Sequence, residues 1–217
     1  METAPAADLA TRLQDAYLDH VLTEGRPPVS VYAFAKSQGV AEADFYQQYN
    51  NFEAVEQALW AGLLQQTQAR LQAEPSYAGY SAREKLLAFY FTWVEVLKPR
   101  RSFVLYSAGQ ERQMAMRTPV ALQVLKKQFI AYAEDLVNQG LDSGELVARP
   151  LLSDRYADGL WTQLMFVTRY WAKDTSPGFE QTDAAIEKAV RLSFELMGQN
   201  VVDAAADLAK FLWNSRR

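Results

Sequence analysis

Residues between Ser30 and Tyr49 have the types and spacing of two short helices joined by a tight turn. Ser30 can cap a short helix containing Phe34, and Gly39 can end it, because a helix end favours a residue with left-handed backbone. Phe45 and Tyr49 are four residues apart, so a second short helix can bury both on one face. Two short helices joined by a tight turn with glycine form the helix-turn-helix pattern, whose second helix reads base edges.

Residues that could perform catalysis are scarce. The chain has no cysteine, and His20 is its only histidine, beside the apolar stripe of a predicted first helix. A thiol nucleophile and a thiolate metal site are therefore excluded, and one histidine argues against any other transition-metal site. Acid pairs such as Glu134-Asp135 are adjacent in a predicted helix and point apart, as solvated residues do. We expect no enzyme activity, no metal and no cofactor.

Length and composition predict a soluble cytoplasmic protein. The 217 residues are 49% hydrophobic, which suffices for one sizeable core or for two subdomains that share one. The first residues lack the basic-then-apolar order of a signal peptide. The most apolar run, Leu86 to Leu97, contains Glu95 and is too short to span a membrane, so membrane association is not expected.

Hydrophobic periodicity predicts an all-α fold of about nine or ten helices without strands. Ser81 and Glu84 have the spacing of a capping box before an apolar helix that neighbours must enclose on most sides. Thr118-Pro119 is expected to open a later helix that runs as far as Gly140. A final amphipathic helix is expected over 201–213, docked on the body of the protein; contact with a membrane is the alternative.

The stretch 30–59 resembles the N-terminal region of the TetR family of bacterial repressors. This resemblance implies a small helix-turn-helix region, residues 1–51, and a larger helical domain for ligand binding and dimerisation, residues 52–217. The matching positions are Phe34-Ala35-Lys36, Gly39-Val40, Phe45-Tyr46, Tyr49, Glu53 and Val55. Four positions depart from the family pattern. Ala41 replaces a serine, Phe52 replaces a lysine, and Glu42 and Asp44 stand where the family usually has a basic or small hydroxyl residue.

The family resemblance also implies which residues face DNA. In TetR-like proteins the second short helix enters the major groove, and the matching positions here are 41–48. The Gln47 amide could pair with adenine, and the Tyr46 hydroxyl could hydrogen-bond to a phosphate. The expected DNA-contacting residues are Ser30, Lys36, Ala41, Glu42, Asp44, Tyr46, Gln47 and Gln48.

The charge distribution opposes DNA binding. Residues 1–60 contain three cations and nine acids, a net charge of −6, so the net charge of −4 for the whole chain leaves +2 for the remainder. Phosphate contacts supply much of the affinity for DNA, so a DNA-binding segment is normally basic. Glu42 and Asp44 have a structural explanation, because acids in the first turn of a helix gain about 0.3–1 kcal/mol from its dipole.

The resemblance further implies a ligand cavity among helices 5 to 8. An apolar cavity with a few polar groups is typical of a small-molecule site, and a small apolar molecule or a lipid would suit it. A filled core without a cavity is the alternative. The expected wall residues are Phe91, Phe103, Tyr106, Phe129, Trp161 and Met165.

Two predicted helices, one opened by Ser153 and one that follows Pro177-Gly178, are expected to form the interface of a symmetric homodimer, as in the TetR family. Their apolar stripes should pack against a second copy, because a monomer would expose them. The residues of these stripes are Leu160, Leu164, Val167, Ile186, Val190 and Phe194.

Two functions remain open from the sequence. The first is a transcriptional regulator that binds DNA and responds to a small apolar ligand. The alternative is a TetR-fold protein that binds a lipid or another apolar molecule without reading DNA. The loop from Asp174 to Thr182 resembles a loop in the TetR-fold lipid-binding protein of ubiquinone biosynthesis. That resemblance and the acidic N-terminal region favour the alternative, whereas the helix-turn-helix spacing favours the regulator.

Overall fold

A computed structural model describes residues 8–111, 119–150 and 152–198, and over these ranges the chain forms helices without any strand. The expected all-α fold class is thereby confirmed. The predicted final helix over 201–213 lies outside the described residues. The α-helices are α1 Leu9–Glu24, α2 Val31–Ser37, α3 Glu42–Gln48, α4 Phe52–Gln72, α5 Ala82–Leu97, α6 Arg101–Glu111, α7 Gln123–Ser143, α8 Tyr156–Lys173 and α9 Glu180–Met197.

The chain forms two compact units. The first comprises Met1–Gln65 with Leu97–Lys127, and the second comprises Gln66–Val96 with Gln128–Arg217. The first unit thus extends beyond the expected region 1–51 and includes α6. In this unit the Trp60 indole of α4 donates to the Ser107 hydroxyl of α6 over 3.3 Å, and its ring centroid lies 5.4 Å from that of Phe103.

The core of the first unit is aromatic. Phe52 lies among three other rings, with centroid distances of 5.4 Å to Tyr17, 5.5 Å to Phe34 and 5.6 Å to Phe45. The rings of Tyr17, Phe34 and Phe45 are almost completely buried. Phe52, which departs from the family pattern, thus joins α4 to α1, α2 and α3 through apolar contact.

Several helix ends lie where the sequence predicts them. Gly25 follows α1 with φ 67°, and the Asn51 carboxamide accepts from the Ala54 amide at the start of α4 over 2.8 Å. Ser81 and Glu84 form the reciprocal bonds of a capping box, of 2.9 and 3.3 Å. The local capping chemistry of these residues therefore acts as expected.

The second unit encloses α5, as its nearly continuous apolar sequence predicts. Phe89, Tyr90 and Trp93 are completely buried. Because burial removes the polar atoms of Tyr90 and Trp93 from water, residues of α8 accept their hydrogen bonds. The Trp93 indole donates to the Thr168 hydroxyl over 2.9 Å, and the Tyr90 hydroxyl donates to the Leu160 carbonyl over 3.3 Å.

The predicted bounds of α7 are wrong. This helix begins at Gln123, after a 3₁₀ turn over Val120–Leu122, and it continues past Gly140 to Ser143. A Cβ atom on Gly140 would lie 2.7 Å from Leu146 Cγ and 3.3 Å from Ala82 Cβ. The glycine therefore allows close packing inside the unit and does not end the helix.

The connection between α8 and α9 is organised by one carboxylate. Asp174 accepts from the amide and hydroxyl of Ser176 over 2.8 and 2.7 Å, and from those of Thr182 over 2.8 and 2.6 Å. These bonds, led by the Thr182 hydroxyl, lower the pKa of Asp174 to about 2. The turn then passes through Gly178 and Phe179, both with positive φ.

We predict that Asp174→Asn lowers the midpoint temperature of unfolding near neutral pH. It should also weaken the fall of this temperature as pH decreases from 3.8 towards 2. The pKa of Asp174 is depressed in the folded state, so its contribution is present above the ordinary value of 3.8 and is lost as pH falls towards 2. Thermal unfolding followed by circular dichroism across this range measures both effects. Asp142→Asn, at an exposed position of α7, is the matched control. Equal decreases of the unfolding midpoint with falling pH in wild type and Asp174→Asn would contradict the prediction.

Candidate nucleic-acid interface and helical groove

The turn between α2 and α3 is fixed by backbone hydrogen bonds. Gly39 adopts φ 67°, its amide donates to the Lys36 carbonyl over 3.2 Å, and the Val40 amide donates to the Ala35 carbonyl over 3.1 Å. This pair of bonds is a Schellman motif, which ends a helix at a left-handed glycine. At the start of α2, the Ser30 hydroxyl accepts from the Ala33 amide over 3.1 Å. Ser30 thus has a local capping role.

The two faces of α3 have opposite character. Phe45 is completely buried and Tyr49, just after the helix, is 9% exposed. Tyr46, Gln47 and Gln48 are exposed, so the side chains expected to reach DNA lie on the outer face. Lys36 is also exposed, with Nζ 5.9 Å from the centroid of the Tyr32 ring.

The acids of α3 lie in its first turn. The Asp44 carboxylate accepts from the Ala41 amide over 3.3 Å, so it caps its own helix. Ala41 has no side chain that could accept from the first amides of the helix, so the Asp44 bond is one half of a capping box. Glu42 is exposed, and its negative charge remains on the surface beside Tyr46 and Gln47.

Helix α1 anchors the end of α3. The Gln14 amide donates to the Tyr49 hydroxyl over 2.7 Å, and that hydroxyl donates to the Ala10 carbonyl over 3.4 Å. These bonds hold the base of α3 against α1, whereas Tyr46 and Gln47 point outward. The sequence identifies Tyr49 as a packing residue but does not reveal its polar partners, because they are 35 and 39 residues away.

A carboxylate that sequence reasoning missed lies between α1 and α4. The Tyr17 hydroxyl donates to Glu56 Oε1 over 2.6 Å. Burial raises the pKa of the Glu56 carboxyl above its usual value; the Tyr17 bond lowers it, and Glu53 raises it further. The sequence indicates that Tyr17 is buried, because it lies on the apolar stripe of α1, but it does not identify Glu56 as the partner of its hydroxyl.

The charge of the first unit differs from that of residues 1–60 alone. Residues 97–127 contain seven cations and one acid, and residues 61–65 carry no charge, so the unit is neutral in total. Of these cations, Arg112 and Arg117 lie outside the described residues. Arg100 Nη2 lies 3.9 Å from Asp15 Oδ1 on α1. Folding thus adds basic residues to the unit that contains α2 and α3.

The expected ligand-wall residues divide between the two units. In the second unit, Phe129 and Trp161 are in contact with ring centroids 6.1 Å apart, and Phe89 lies 5.4 Å from Phe129. Phe91 and Met165 are half-buried. In the first unit, Phe103 packs on Trp60, and Tyr106 packs against the aromatic core around Phe45.

The expectation that a monomer would expose the apolar stripes of α8 and α9 is wrong. All six residues are already buried within one chain, with exposed fractions between 0 and 8%, because α8 and α9 turn these stripes into the core of the second unit. They are Leu160, Leu164, Val167, Ile186, Val190 and Phe194. A monomer therefore does not expose them.

Other residues of α8 and α9 form an exposed apolar groove of about 730 Å³. Phe166, Leu192 and Leu196 line it and are 49%, 55% and 44% exposed. Ala185 and Ala189 are also part of its lining. We call this surface the α8–α9 groove. The sequence could not separate it from the buried stripes, because both sides of these helices carry apolar residues.

Two further properties concern only the residues that the structure describes. No helix there combines the length and the hydropathy needed to cross a membrane. In the same part of the chain, no group of three or more histidine or acidic side chains is arranged to hold a metal ion.

Comparison with solved structures places the fold among transcription regulators. A TetR-family regulator from Shewanella sp. PV-4 is 19% identical with a TM-score of 0.62, covering 88% of this chain and 98% of that one. The fatty acid degradation regulator FadR from Bacillus halodurans is 16% identical with a TM-score of 0.61, covering 89% and 97%. The ketosteroid transcriptional regulator KstR2 of Mycobacterium tuberculosis is 15% identical with a TM-score of 0.50, covering 90% and 97%. At these identities the likeness concerns the fold.

Comparison by sequence identifies the family. A search of curated proteins found no match. Residues 85–212, more than half of the chain, match the family of tetracyclin repressor-like C-terminal domains. This match does not favour the alternative of a lipid-binding protein that has lost DNA recognition. The chain therefore belongs to the TetR family of transcription regulators.

Proposed function

We propose that this chain regulates transcription as a homodimer that reads DNA through α3 and responds to a small apolar ligand. The exposed face of α3 carries the proposal. Tyr46, Gln47 and Gln48 are presented outward there, and Phe45 and Tyr49 fix the opposite face to the core. A short helix with a rigid base and an amide-bearing outer face suits hydrogen bonding to base edges.

Base contacts carry more of the affinity in this protein than phosphate contacts. Lys36 is an exposed cation on α2, whereas Glu42 adds an exposed negative charge on α3. The other residues of the proposed contact set are Ser30, Ala41, Asp44, Tyr46, Gln47 and Gln48. Because each phosphate contact contributes about 0.9 to the salt slope, a shallow slope is expected.

The α8–α9 groove is the proposed dimer surface. Its large exposed side chains can pack against the same surface of a second copy, as a two-fold axis requires. Alanines in the lining allow close approach of helices from the two copies. This surface replaces the buried stripes as the site of dimerisation.

The proposed ligand is apolar, because the buried side chains around Phe129 and Trp161 are aromatic. The names of FadR and KstR2 refer to fatty acid degradation and to ketosteroids, so acyl chains and steroids are the first compounds to test. The proposed wall in the second unit consists of Phe91, Phe129, Trp161 and Met165. Phe103 and Tyr106 are proposed ligand residues of the first unit.

The DNA-reading role is tested by selection from random duplex at low salt. We expect wild type to enrich a palindrome, and Gln47→Ala to abolish that enrichment because the amide is lost. Glu42→Lys should raise affinity for all duplexes and steepen the salt slope by about 1. Glu24→Lys, at an exposed end of α1, makes the same change in charge away from α3.

Two outcomes of this experiment would contradict DNA reading by α3 or the role of Glu42. If wild type enriches no sequence but Glu42→Lys binds duplex indiscriminately, the acids have silenced the surface and the lipid-binding alternative gains support. If Glu24→Lys steepens the slope as much as Glu42→Lys, the effect of Glu42 is one of net charge and not of its place on α3.

The dimer is tested by substitution in the α8–α9 groove. Leu192→Glu should convert a dimer into a folded monomer in light scattering at micromolar concentration, because Leu192 is exposed in the single chain. Leu105→Glu is the matched control, since this leucine of α6 is similarly exposed at 46%. Val190→Glu should instead unfold the chain, because an unpaired charge in the core costs about 3–5 kcal/mol. A dimer that persists in folded Leu192→Glu would contradict this interface.

The ligand is tested by thermal stability against a panel of acyl compounds and steroids. A compound present at a hundredfold excess over its dissociation constant should stabilise wild type by about 2.7 kcal/mol. Trp161→Phe should reduce this shift, whereas Trp171→Phe, at a buried tryptophan of α8 that packs on Phe179 and lies outside the proposed wall, should preserve it. Equal shifts in both variants, or no shift with any compound, would count against a ligand site at Trp161.

A further inference from the structure

Helices α1 and α4 of the first unit are joined at one carboxylate, and α6 lies beside the same tyrosine. Glu56 of α4 accepts from the Tyr17 hydroxyl of α1 over 2.6 Å, and Tyr106 of α6 packs against the same core as Tyr17. The Tyr17 ring is completely buried and contacts Phe34 of α2, with centroids 6.4 Å apart. We call Tyr17, Glu56 and Tyr106 the hydroxyl–carboxylate joint. The Tyr17 ring thus connects the joint to α2, the first helix of the helix-turn-helix, by direct contact.

The surroundings of Glu56 that the structure describes disfavour its ionised form. In the described part of the chain Glu56 forms no ion pair, and its acidic neighbour Glu53 increases the cost of ionisation. Among the described residues, Tyr17 and Glu53 are the titratable groups that act on the Glu56 carboxyl, and Tyr106 acts on the Tyr17 hydroxyl. A half-buried carboxylate that is bonded to a hydroxyl is costly to ionise, and a glutamine of the same shape would avoid this cost.

We propose that Glu56 is a positioning residue that makes the attachment of α1 to α4, and with it DNA recognition, sensitive to protonation. Its part in DNA recognition rests on the function proposed above. Protonated Glu56 keeps α1 and its Tyr17 ring against α4. Ionised Glu56 gains hydration when the joint opens, which loosens α1 and the core that supports α2 and α3.

Linkage fixes the direction of this effect. Burial raises the pKa of Glu56 in the closed joint, whereas an opened joint returns it towards the ordinary value of 4.5. Proton binding therefore favours the closed joint, and opening becomes easier as pH rises through the raised value. The opening equilibrium changes by about a factor of ten for each pH unit between the two midpoints.

The first readout uses the protein alone. Side-chain carbon NMR of labelled glutamate and tyrosine should show one glutamate with a midpoint above 4.5, and the Tyr17 signal should follow the same midpoint. Glu56→Gln, which keeps an oxygen to accept from Tyr17, should abolish both transitions. Tyr17→Phe should move the glutamate midpoint higher, because the bond that stabilises the carboxylate is lost. A Tyr17 signal that stays flat while Glu56 titrates would overturn the proposal.

The second readout is amide hydrogen exchange over α1, compared between variants at each pH so that intrinsic exchange cancels. The ratio of wild-type to Glu56→Gln exchange should rise with pH from 4.5 to the raised midpoint of Glu56 and level off above it. Glu24→Gln, with the same change at an exposed position, should keep the wild-type profile. A ratio that does not change with pH would show that Glu56 is only a packing residue.

The third readout is the ratio of affinities for the selected duplex and for random duplex. This ratio removes general repulsion between acids and phosphates, which affects both duplexes. It should fall with rising pH for wild type and stay level for Glu56→Gln, and parallel profiles would overturn the role of the joint in recognition. Absence of any duplex binding by wild type would instead contradict the DNA-reading function, and the first two readouts would still decide whether the joint exists.

Discussion

The burial of aromatic rings around Phe52 is the interaction on which the first unit depends. Helices α2 and α3 each have only seven residues, and helices of that length are unstable alone in water. Their stability must come from tertiary contacts, which Phe34 and Phe45 make with Phe52 and Tyr17. The position that departs from the family pattern at the start of α4 thus supplies an apolar anchor.

This packing explains how an acidic region can still present an ordered surface. The hydrogen bonds of the turn at Gly39 and of the Asp44 cap are local. They therefore do not use the exposed side chains of Gln47 and Gln48 on the outer face of α3. The acids of residues 1–60 are balanced within the unit, because residues 97–127 add a net charge of +6 to it. The acidic character of residues 1–60 therefore overstates the charge of the folded unit.

The second unit shows a different use of apolar residues. The stripes on α8 and α9 that seemed to need a partner are satisfied within the chain, and a second set of apolar side chains remains in the α8–α9 groove. Exposed apolar surface of this kind marks an interaction site more reliably than apolar periodicity does, because periodicity identifies every buried face without saying what covers it. The family match over residues 85–212 agrees with a domain built around these helices.

The sequence by itself determined the local features of this protein. The caps at Asn51 and Ser81, the left-handed turn at Gly39 and the apolar faces of the helices follow from chemistry within four residues along the chain. The resemblance over residues 30–59 was sufficient to identify the TetR family. These properties depend on neighbours that the sequence itself supplies.

Tertiary structure alone decided which apolar faces are covered and which polar groups meet. Gly140 serves close packing because Leu146 and Ala82 approach it, and Glu56 is a half-buried acceptor because α1 brings Tyr17 to it from 39 residues away. The membership of α6 in the first unit has the same origin, in contacts between Trp60 and Ser107 that are 47 residues apart. Burial is a sum over neighbours that are distant in sequence, so no periodicity within one helix can determine it.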